Sequence, residues 1–155
     1  MTLRRFILPN HAYHTISLTR GRQPLFTSSE AAGAVREAID YERTATHAFV
    51  LAYAILPEHL HLLLIPREPY DVSTVMHNLK SFAAKAVNRV LGRRGAVWQQ
   101  SFYDRVIRDE SHLDATIEYI HQNPVTAGLV ERAQDFPWSS AHPGAEVDIE
   151  RFFGE

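Results

Sequence analysis

Hydrophobic and polar positions follow a pattern along the chain that predicts seven secondary-structure elements. Runs of β-branched, aromatic and aliphatic residues predict four strands. Apolar residues spaced three and four positions apart predict three helices. The strands are predicted at 13–19, 47–56, 59–65 and 101–108, and the helices at 30–43, 72–91 and 111–121.

The end of the chain carries two signals for helix starts. Ser111-x-x-Asp114 resembles a capping box, which predicts the start of the last helix. Asn123 is a good N-cap and Pro124 suits a first helical turn. The ordinary interpretation of these two residues, without a chemical role, is the start of a further short helix that ends at Gly128.

The predicted order of elements, β-α-β-β-α-β-α, defines the fold class. Its first six elements match the split βαβ arrangement of ferredoxin-like folds, an α+β class. We therefore predict an antiparallel four-stranded sheet with two helices on one face, followed by a C-terminal helix. A chain of 155 residues has room for one ordinary domain. We place that domain at 1–140 and expect residues 141–155 to form an acidic, loosely ordered tail.

Composition excludes several classes of site. The chain has no cysteine, so it forms no disulfide, thiolate metal site or cysteine nucleophile. The apolar run near the start, Phe6–Leu8, is too short for a signal-peptide core. No stretch approaches the ~20 apolar residues of a membrane span. We expect a cytoplasmic protein that does not enter a membrane.

The charges are distributed unevenly, although the formal net charge is only −2. Residues 1–22 contain four arginines and no acid, and residues 80–108 contain seven basic residues against Asp104. Clustered basic residues are typical of a surface that binds phosphates, but they also occur on solvated helix faces. The candidates for DNA contacts are Arg4, Arg5, Lys80, Lys85, Arg93, Arg94 and Arg105.

The predicted third strand begins with His59-Leu60-His61. Side chains alternate between the faces of a strand, so both imidazoles project from the same face. Two imidazoles on one face can converge on a metal ion. The alternative is that both are hydrogen-bonded polar residues without a chemical role.

The last predicted helix presents Tyr119 beside its apolar stripe. The stripe consists of Leu113, Ile117 and Ile120, and Tyr119 lies about 100° away around the helix with Asn123 in line with it. The Tyr119 hydroxyl is therefore expected at the edge of the core. A tyrosine with an exposed hydroxyl is also common without any catalytic role.

Three segments together resemble a known family. ILPEHLHLLLIP resembles the signature of the HUH (His-hydrophobic-His) single-tyrosine transposases. The block GRRGAVWQQSFYDRVIRDESHLDATIEYIHQNPVTAGLVERAQDFPWSS is similar to the REP-associated tyrosine transposases among them, and YHTISLTRGRQPLF extends the resemblance to about residues 12–140. Glu58 stands where the family usually has asparagine, which affects how the hairpin turn orients His59.

The resemblance implies an enzyme that nicks and joins DNA. It implies that Tyr119 is the nucleophile, and that His59, His61 and an oxygen ligand from the last helix hold Mg²⁺ or Mn²⁺. The i+4 spacing from Tyr119 favours Asn123 as that ligand, with Gln122 as the second choice. The implied substrate is single-stranded DNA folded into a hairpin, cleaved through a covalent 5′-phosphotyrosine by a monomer without a small-molecule cofactor.

Two other function classes compete with this interpretation. A non-catalytic, RRM-type nucleic-acid-binding module shares the βαββαβ order, but its signature on the central strands is absent here. A metal hydrolase with an activated water would leave Tyr119 dispensable, and its helical H-E-x-x-H motif is absent. The candidate stacking platforms for bases are Tyr13, Trp98 and Phe102, which are also candidates for the core.

Overall fold

A computed structural model describes residues 11–149 of the chain. It contains the seven predicted elements in the predicted order. The elements are β1 (Tyr13–Leu18), α1 (Ser29–Thr44), β2 (Ala48–Leu56), β3 (His59–Pro66), α2 (Val72–Leu91), β4 (Tyr103–Val106) and α3 (Glu110–Thr126).

The four strands form one antiparallel sheet in the order β2-β3-β1-β4. This is the order of a ferredoxin-like sheet, so the predicted fold class is confirmed. β2 and β3 form the predicted hairpin around the Pro57-Glu58 turn. α1 and α2 pack together on one face of the sheet.

Strand β3 is apolar on both faces because both faces are covered. Leu60, Leu62 and Leu64 belong to the core under α1 and α2, whereas Leu63 and Ile65 belong to a second core. α3 contributes Leu113 and Ile120 to this second core. Two covered faces account for the nearly continuous run of leucines, which is unusual for an antiparallel strand with one solvated face. The histidines at 59 and 61 share the α3 face with residues 63 and 65.

Helix α3 differs from its prediction at both ends. It is capped by Asp109, whose side chain accepts from the backbone N–H of His112 at 2.8 Å, and not by Ser111. The alternative interpretation of Asn123-Pro124 as the start of a further helix does not hold, because α3 continues through Pro124 to Thr126. Proline normally disfavours a helix interior. Here the Pro124 ring is buried, and the Asn123 and Pro124 carbonyls accept from the N–H groups of residues 127 and 129.

Residues 138–149 cover the outer edge of β2. The N–H of Ile55 donates to the Trp138 carbonyl at 2.8 Å, and the N–H of Val50 donates to the Asp148 carboxylate at 2.9 Å. Asp148 is buried and also accepts two hydrogen bonds from Arg43, at 3.0 and 3.1 Å. Residues 141–149 therefore follow the edge of the sheet in this structure, and the domain boundary at 140 with a loosely ordered tail stays a prediction. They occupy an edge that would otherwise present unpaired backbone groups.

Candidate active site

The two histidines of β3 lie at the centre of the sheet, on the face that α3 covers. His61 pairs with Ile16 of β1 and with Ala54 of β2, and it is 2% exposed. His59 lies at the start of the strand and is half-buried. The alternation of β3 therefore brings both imidazoles to one face, as the sequence predicted.

The Nε2 atoms of the two imidazoles face each other. Nε2 of His59 and Nε2 of His61 are 3.1 Å apart. Two nitrogens that bind one ion at about 2.0–2.2 Å each lie about 3 Å apart when they meet it at a right angle. The pair therefore fits a divalent metal ion. Within residues 11–149, no group of three or more histidine, aspartate or glutamate side chains is arranged as a metal site.

Glu58 holds His59 in this orientation. Its Oε1 accepts from Nδ1–H of His59 at 2.9 Å. The pKa of the Glu58 carboxyl lies below its ordinary value: burial opposes the charged form, but the His59 hydrogen bond, with a smaller contribution from Arg22, outweighs it. Metal-binding histidines usually donate their second ring N–H to such an acceptor, which fixes the ring and raises its basicity as a ligand.

His14 of β1 was not predicted as a site residue, and the structure places it beside His61. Its Nε2 lies 3.0 Å from Nδ1 of His61, and the two rings are stacked with centroids 5.2 Å apart. The alternation of β1 predicts which residues share a face with His14. The pairing of β1 with β3, which brings His14 to His61, is not encoded in either strand alone.

The four side chains form one hydrogen-bonded series from His14 through His61 and His59 to Glu58. Without an ion, each histidine can donate to the next member, and Glu58 accepts at the end. To present both Nε2 lone pairs to an ion, His61 must carry its proton on Nδ1 and donate to His14. His14 is therefore the acceptor that selects the ligand tautomer of His61.

Tyr119 projects from α3 toward the histidines. Its ring lies edge-on to His61, with centroids 5.6 Å apart and planes at 87°, and 6.1 Å from the ring of His14. Tyr119 is nevertheless 55% exposed. The helix thus sets a phenol at the border between the buried histidines and solvent, as its position beside the apolar stripe predicted.

Asn123 follows Tyr119 by one helical turn and is half-buried. Its side chain makes no hydrogen bond within the described part of the chain, so its amide oxygen is available as a ligand. Gln122 is exposed and lines a different cavity together with Glu118. His121 is directed toward Ser140, with its Nε2 2.7 Å from the hydroxyl. Of the three residues, Asn123 is the one that is neither exposed nor hydrogen-bonded through its side chain within residues 11–149, and its role as a ligand stays a prediction.

The basic residues predicted to contact DNA differ in their surroundings. Nζ of Lys80 donates to the carbonyls of Gln99 and Ser101 at 3.3 and 3.4 Å. Arg93 donates to the side chain of Asn88 at 2.7 Å. These two cations therefore brace the loop that follows α2. Arg94, Lys85 and Arg105 are exposed, and Arg4 and Arg5 lie outside the described residues.

The three candidate stacking platforms are part of the core. Trp98 is 7% exposed, and its Nε1–H donates to the Lys80 carbonyl at 3.1 Å. Tyr13 and Phe102 pack against the same core cluster. The neighbouring Tyr103, which is not among the predicted platforms, is 64% exposed.

Buried histidines make the stability of the metal-free protein depend on pH. Burial, with smaller contributions from neighbouring charges, lowers the pKa of His61 to about 3 and that of His14 to about 4, from 6.5. Below about pH 6.5 the unfolded chain takes up protons on these residues while the folded chain does not, so stability falls as the pH falls toward 4. For His61 alone we expect a loss of roughly 2 kcal/mol between about pH 7.5 and pH 5.

Urea unfolding in EDTA at the two pH values measures this loss. His61→Leu should remove a large part of the difference, because the unfolded chain then lacks that proton. His77→Gln, which changes an exposed histidine of α2, is the control and should leave the difference unchanged. An equal pH dependence in His61→Leu and the parent chain would contradict the prediction.

The model of the family described as "Transposase IS200 like" matches residues 8–123, which include His14, His59, His61, Tyr119 and Asn123. This chain belongs to the IS200-like transposase family. Two curated relatives extend the match. A Haemophilus influenzae protein, whose name places it among the REP-associated tyrosine transposases, is 31% identical over 121 residues, or 70% of this chain and 69% of that protein. The REP-associated tyrosine transposase of Escherichia coli K12 is 28% identical over 131 residues, covering 84% and 75%.

Solved structures agree with this assignment. The structure of a REP-associated tyrosine transposase bound to a REP hairpin superimposes with a TM-score of 0.70 at 25% identity, covering 88% of this transposase and 80% of that chain. A crystal structure from Deinococcus radiodurans shares the fold, with a TM-score of 0.54 at 20% identity and coverage of 72% and 88%. The predicted family and enzyme class, a tyrosine transposase that cleaves and joins DNA, are therefore confirmed. No helix within residues 11–149 is long and apolar enough to cross a membrane, and the cytoplasmic location stays a prediction.

Proposed function

We propose that this transposase is a metal-dependent endonuclease and strand transferase that nicks single-stranded DNA near a hairpin through Tyr119. One observation carries the proposal. The phenol of Tyr119 lies 5.6 Å, ring to ring, from His61, whose Nε2 is 3.1 Å from Nε2 of His59. The side chains that we propose as nucleophile and metal ligands therefore lie next to each other, with Tyr119 on α3 and the two histidines on β3.

His59, His61 and Asn123 are the residues we assign to a divalent ion, Mg²⁺ or Mn²⁺. The ion would supply a Lewis acid that polarises the scissile phosphate and favours the phenolate of a tyrosine whose free pKa is about 10. The residues of the chain do the remaining work. Glu58 and His14 fix the two imidazoles, and α3 holds Tyr119 and Asn123 one turn apart on the same side.

The reaction is a transesterification at phosphorus. The Tyr119 oxygen forms a bond to phosphorus while the bond to the 3′-oxygen breaks, which leaves a 5′-phosphotyrosine and a free 3′-OH. The phenol loses its proton and the departing 3′-oxygen gains one. Because an aryl oxide is a good leaving group, a later attack by a 3′-OH can reverse the step and join a strand. No small-molecule cofactor enters this balance.

Single-stranded or hairpin DNA is the partner we propose. The similar structure with a TM-score of 0.70 is described as bound to a REP hairpin. The exposed cations Lys85, Arg94 and Arg105 offer phosphate contacts, and Arg4 and Arg5 remain candidates. Tyr119 contacts the histidines of its own chain, which supports a monomer that cleaves with its own tyrosine.

The two alternative function classes fit the structure less well. An RRM-type module binds RNA with the open face of its sheet, but here α3 covers the β2 and β3 part of that face. A hydrolase with an activated water gives no role to a half-exposed tyrosine set edge-on to His61.

Trapping a covalent adduct tests the proposed function. Labelled hairpin DNA with single-stranded flanks is incubated with the protein and Mn²⁺ and run on a denaturing gel. We expect a labelled band at the mass of protein plus DNA that disappears with EDTA. Binding without an adduct would favour a non-catalytic module, and cleaved DNA without an adduct would favour a hydrolase.

Glu58 offers a test of the metal site that leaves the ligands intact. Glu58→Gln keeps an acceptor for Nδ1–H of His59 but removes the charge, and Glu58→Ala removes both. Because groups that orient metal ligands typically account for about 10–100-fold in affinity, we expect Mn²⁺ binding to weaken about 10-fold in Glu58→Gln and up to about 100-fold in Glu58→Ala. Calorimetric titration with Mn²⁺ measures this change.

The matched control is Glu118→Gln, which removes the same charge from an exposed position on α3. It should bind Mn²⁺ as the parent chain does. Equal affinities in the parent and both Glu58 variants would show that Glu58 does not support a metal ligand.

A further inference from the structure

A cleft opens beside Tyr119, between α3 and the β1–β4 pair of strands. Its volume is about 540 Å³, within the range of about 300–1,000 Å³ that is usual for sites of small molecules. The sheet forms one side of this cleft with His14, Ile16, Tyr103, Asp104 and Arg105. The helix forms the other side with His112, Ala115, Thr116 and Tyr119.

Tyr103 lies on the sheet side of the cleft. It pairs with Ile16 across β1 and β4, and the same register pairs Arg105 with His14. Alternation therefore directs Tyr103 and Arg105 to the face that carries the histidines. Tyr103 is 64% exposed, and its ring contacts no other aromatic ring within residues 11–149. A free aromatic face is the usual platform for an unstacked base.

Two polar groups complement the ring. Arg105 is an exposed cation at the edge of the cleft. Nδ1 of His112 accepts from the backbone N–H of Arg108 at 3.2 Å, which leaves its proton on Nε2 as a donor. Ala115, on the same side of α3, is small and leaves room for a planar ring. The cleft thus offers a stacking surface, a cation and a hydrogen-bond donor.

We propose that this cleft binds one nucleotide of single-stranded DNA next to the scissile phosphate. The base stacks on Tyr103, a phosphate pairs with Arg105, and Nε2–H of His112 donates to an acceptor on the base. The proposal rests on the proposed function, because it needs a single strand that reaches Tyr119. Tyr119 both lines the cleft and contacts His61. A nucleotide in the cleft therefore brings its phosphate to the attacking hydroxyl.

Photocrosslinking tests the position of the base directly. Single-stranded oligonucleotides of mixed sequence that carry 5-iododeoxyuridine are bound to Tyr119→Phe with Mg²⁺, irradiated and digested, and the crosslinked peptide is identified by mass spectrometry. We expect a crosslink in the peptide that contains Tyr103. Adding Tyr103→Ala should remove it, and adding Tyr103→Phe should retain it, because stacking needs the ring and not the hydroxyl. Crosslinks confined to other peptides would overturn the proposal.

Affinity for the same oligonucleotides gives a second measurement. Loss of one stacking contact typically weakens binding by about 5–150-fold, so we expect Tyr103→Ala to fall in this range and Tyr103→Phe to bind normally. Tyr41→Ala is the matched control, since Tyr41 is 50% exposed on α1. The melting temperature of Tyr103→Ala should not change, because the side chain is mostly exposed. Unchanged affinity in Tyr103→Ala would refute the cleft as a nucleotide site.

The adduct assay and the Tyr103 experiments distinguish failure of the proposed nucleotide site from failure of the proposed nuclease function. A metal-dependent adduct in the parent chain, with no effect of Tyr103→Ala on crosslinking or affinity, would refute the cleft alone. A crosslink that depends on Tyr103, without any adduct in the parent chain, would refute the nuclease and retain a base-binding cleft.

Discussion

Tyr119→Phe is expected to abolish the covalent protein–DNA adduct while the protein keeps its fold and its affinity for DNA. The substitution removes one oxygen, the atom that we assign to the attack on phosphorus. Without a nucleophile we expect adduct formation to fall by on the order of 10⁴-fold or more. Denaturing gels with labelled hairpin DNA measure the adduct, and a filter or anisotropy assay measures binding.

Tyr103→Phe is the matched control, because it removes a phenol oxygen from the same cleft without touching the nucleophile. It should form the adduct at the parent rate. An adduct that persists in Tyr119→Phe would assign the nucleophile to another residue.

His59→Ala and His61→Ala are expected to lose both DNA cleavage and metal affinity, yet to retain hairpin binding. Each change removes one of the two nitrogen ligands that we propose for the metal ion. Since changes in groups that only orient ligands already cost about 10–100-fold, we expect Mn²⁺ affinity to fall by more than about 100-fold. Calorimetric titration measures it, and far-ultraviolet circular dichroism checks the fold. His77→Ala, at an exposed position of α2, should bind Mn²⁺ normally.

The same titration tests the third ligand. Asn123→Ala should weaken Mn²⁺ binding less than the histidine changes, because water can replace an amide oxygen, and Asn123→Asp should strengthen it by adding a charge. Gln122→Ala should have no effect, since Gln122 faces another cavity. Unchanged affinity in both histidine variants would make the pair structural and remove the metal from the mechanism.

The features of the site that the sequence could predict follow from the regular spacing of side chains in strands and helices. Alternation on β3 placed His59 and His61 on one face, and the helical period placed Tyr119 and Asn123 in line. These are local regularities within a single element. The order of elements limited the topology to the ferredoxin-like arrangement, and the structure has this arrangement.

Two features of the site could not be predicted from the sequence, because they depend on how elements that are distant in the chain pack together. The role of His14 depends on the register of β1 against β3, and the exposure of Tyr103 depends on how far α3 extends over β1 and β4. Neither residue has a local signal that separates it from an ordinary strand residue. Lys80 has intramolecular contacts that the sequence does not reveal, and its contact with DNA stays a prediction. It stands in a basic segment, but its ammonium group lies on carbonyls of its own chain.

The interpretation of Asn123-Pro124 as a helix start also failed because it considered only the local sequence. Asn-Pro is a favourable start of a helix in isolation. In the folded chain, the apolar environment of the Pro124 ring and the preceding turns of α3 determine the conformation instead. Tertiary packing therefore overrides the local preference, and it keeps Asn123 on the same helix as Tyr119.

The distribution of the site along the chain has a consequence during protein synthesis. His14, His59 and His61 are made early, whereas Tyr119 and its helix come late, and β4 must pair with β1 across roughly ninety residues. In the proposed mechanism, a nascent chain whose α3 is still inside the ribosome carries the histidines but lacks the nucleophile. A chain that ends before α3 is therefore expected not to cleave DNA through Tyr119.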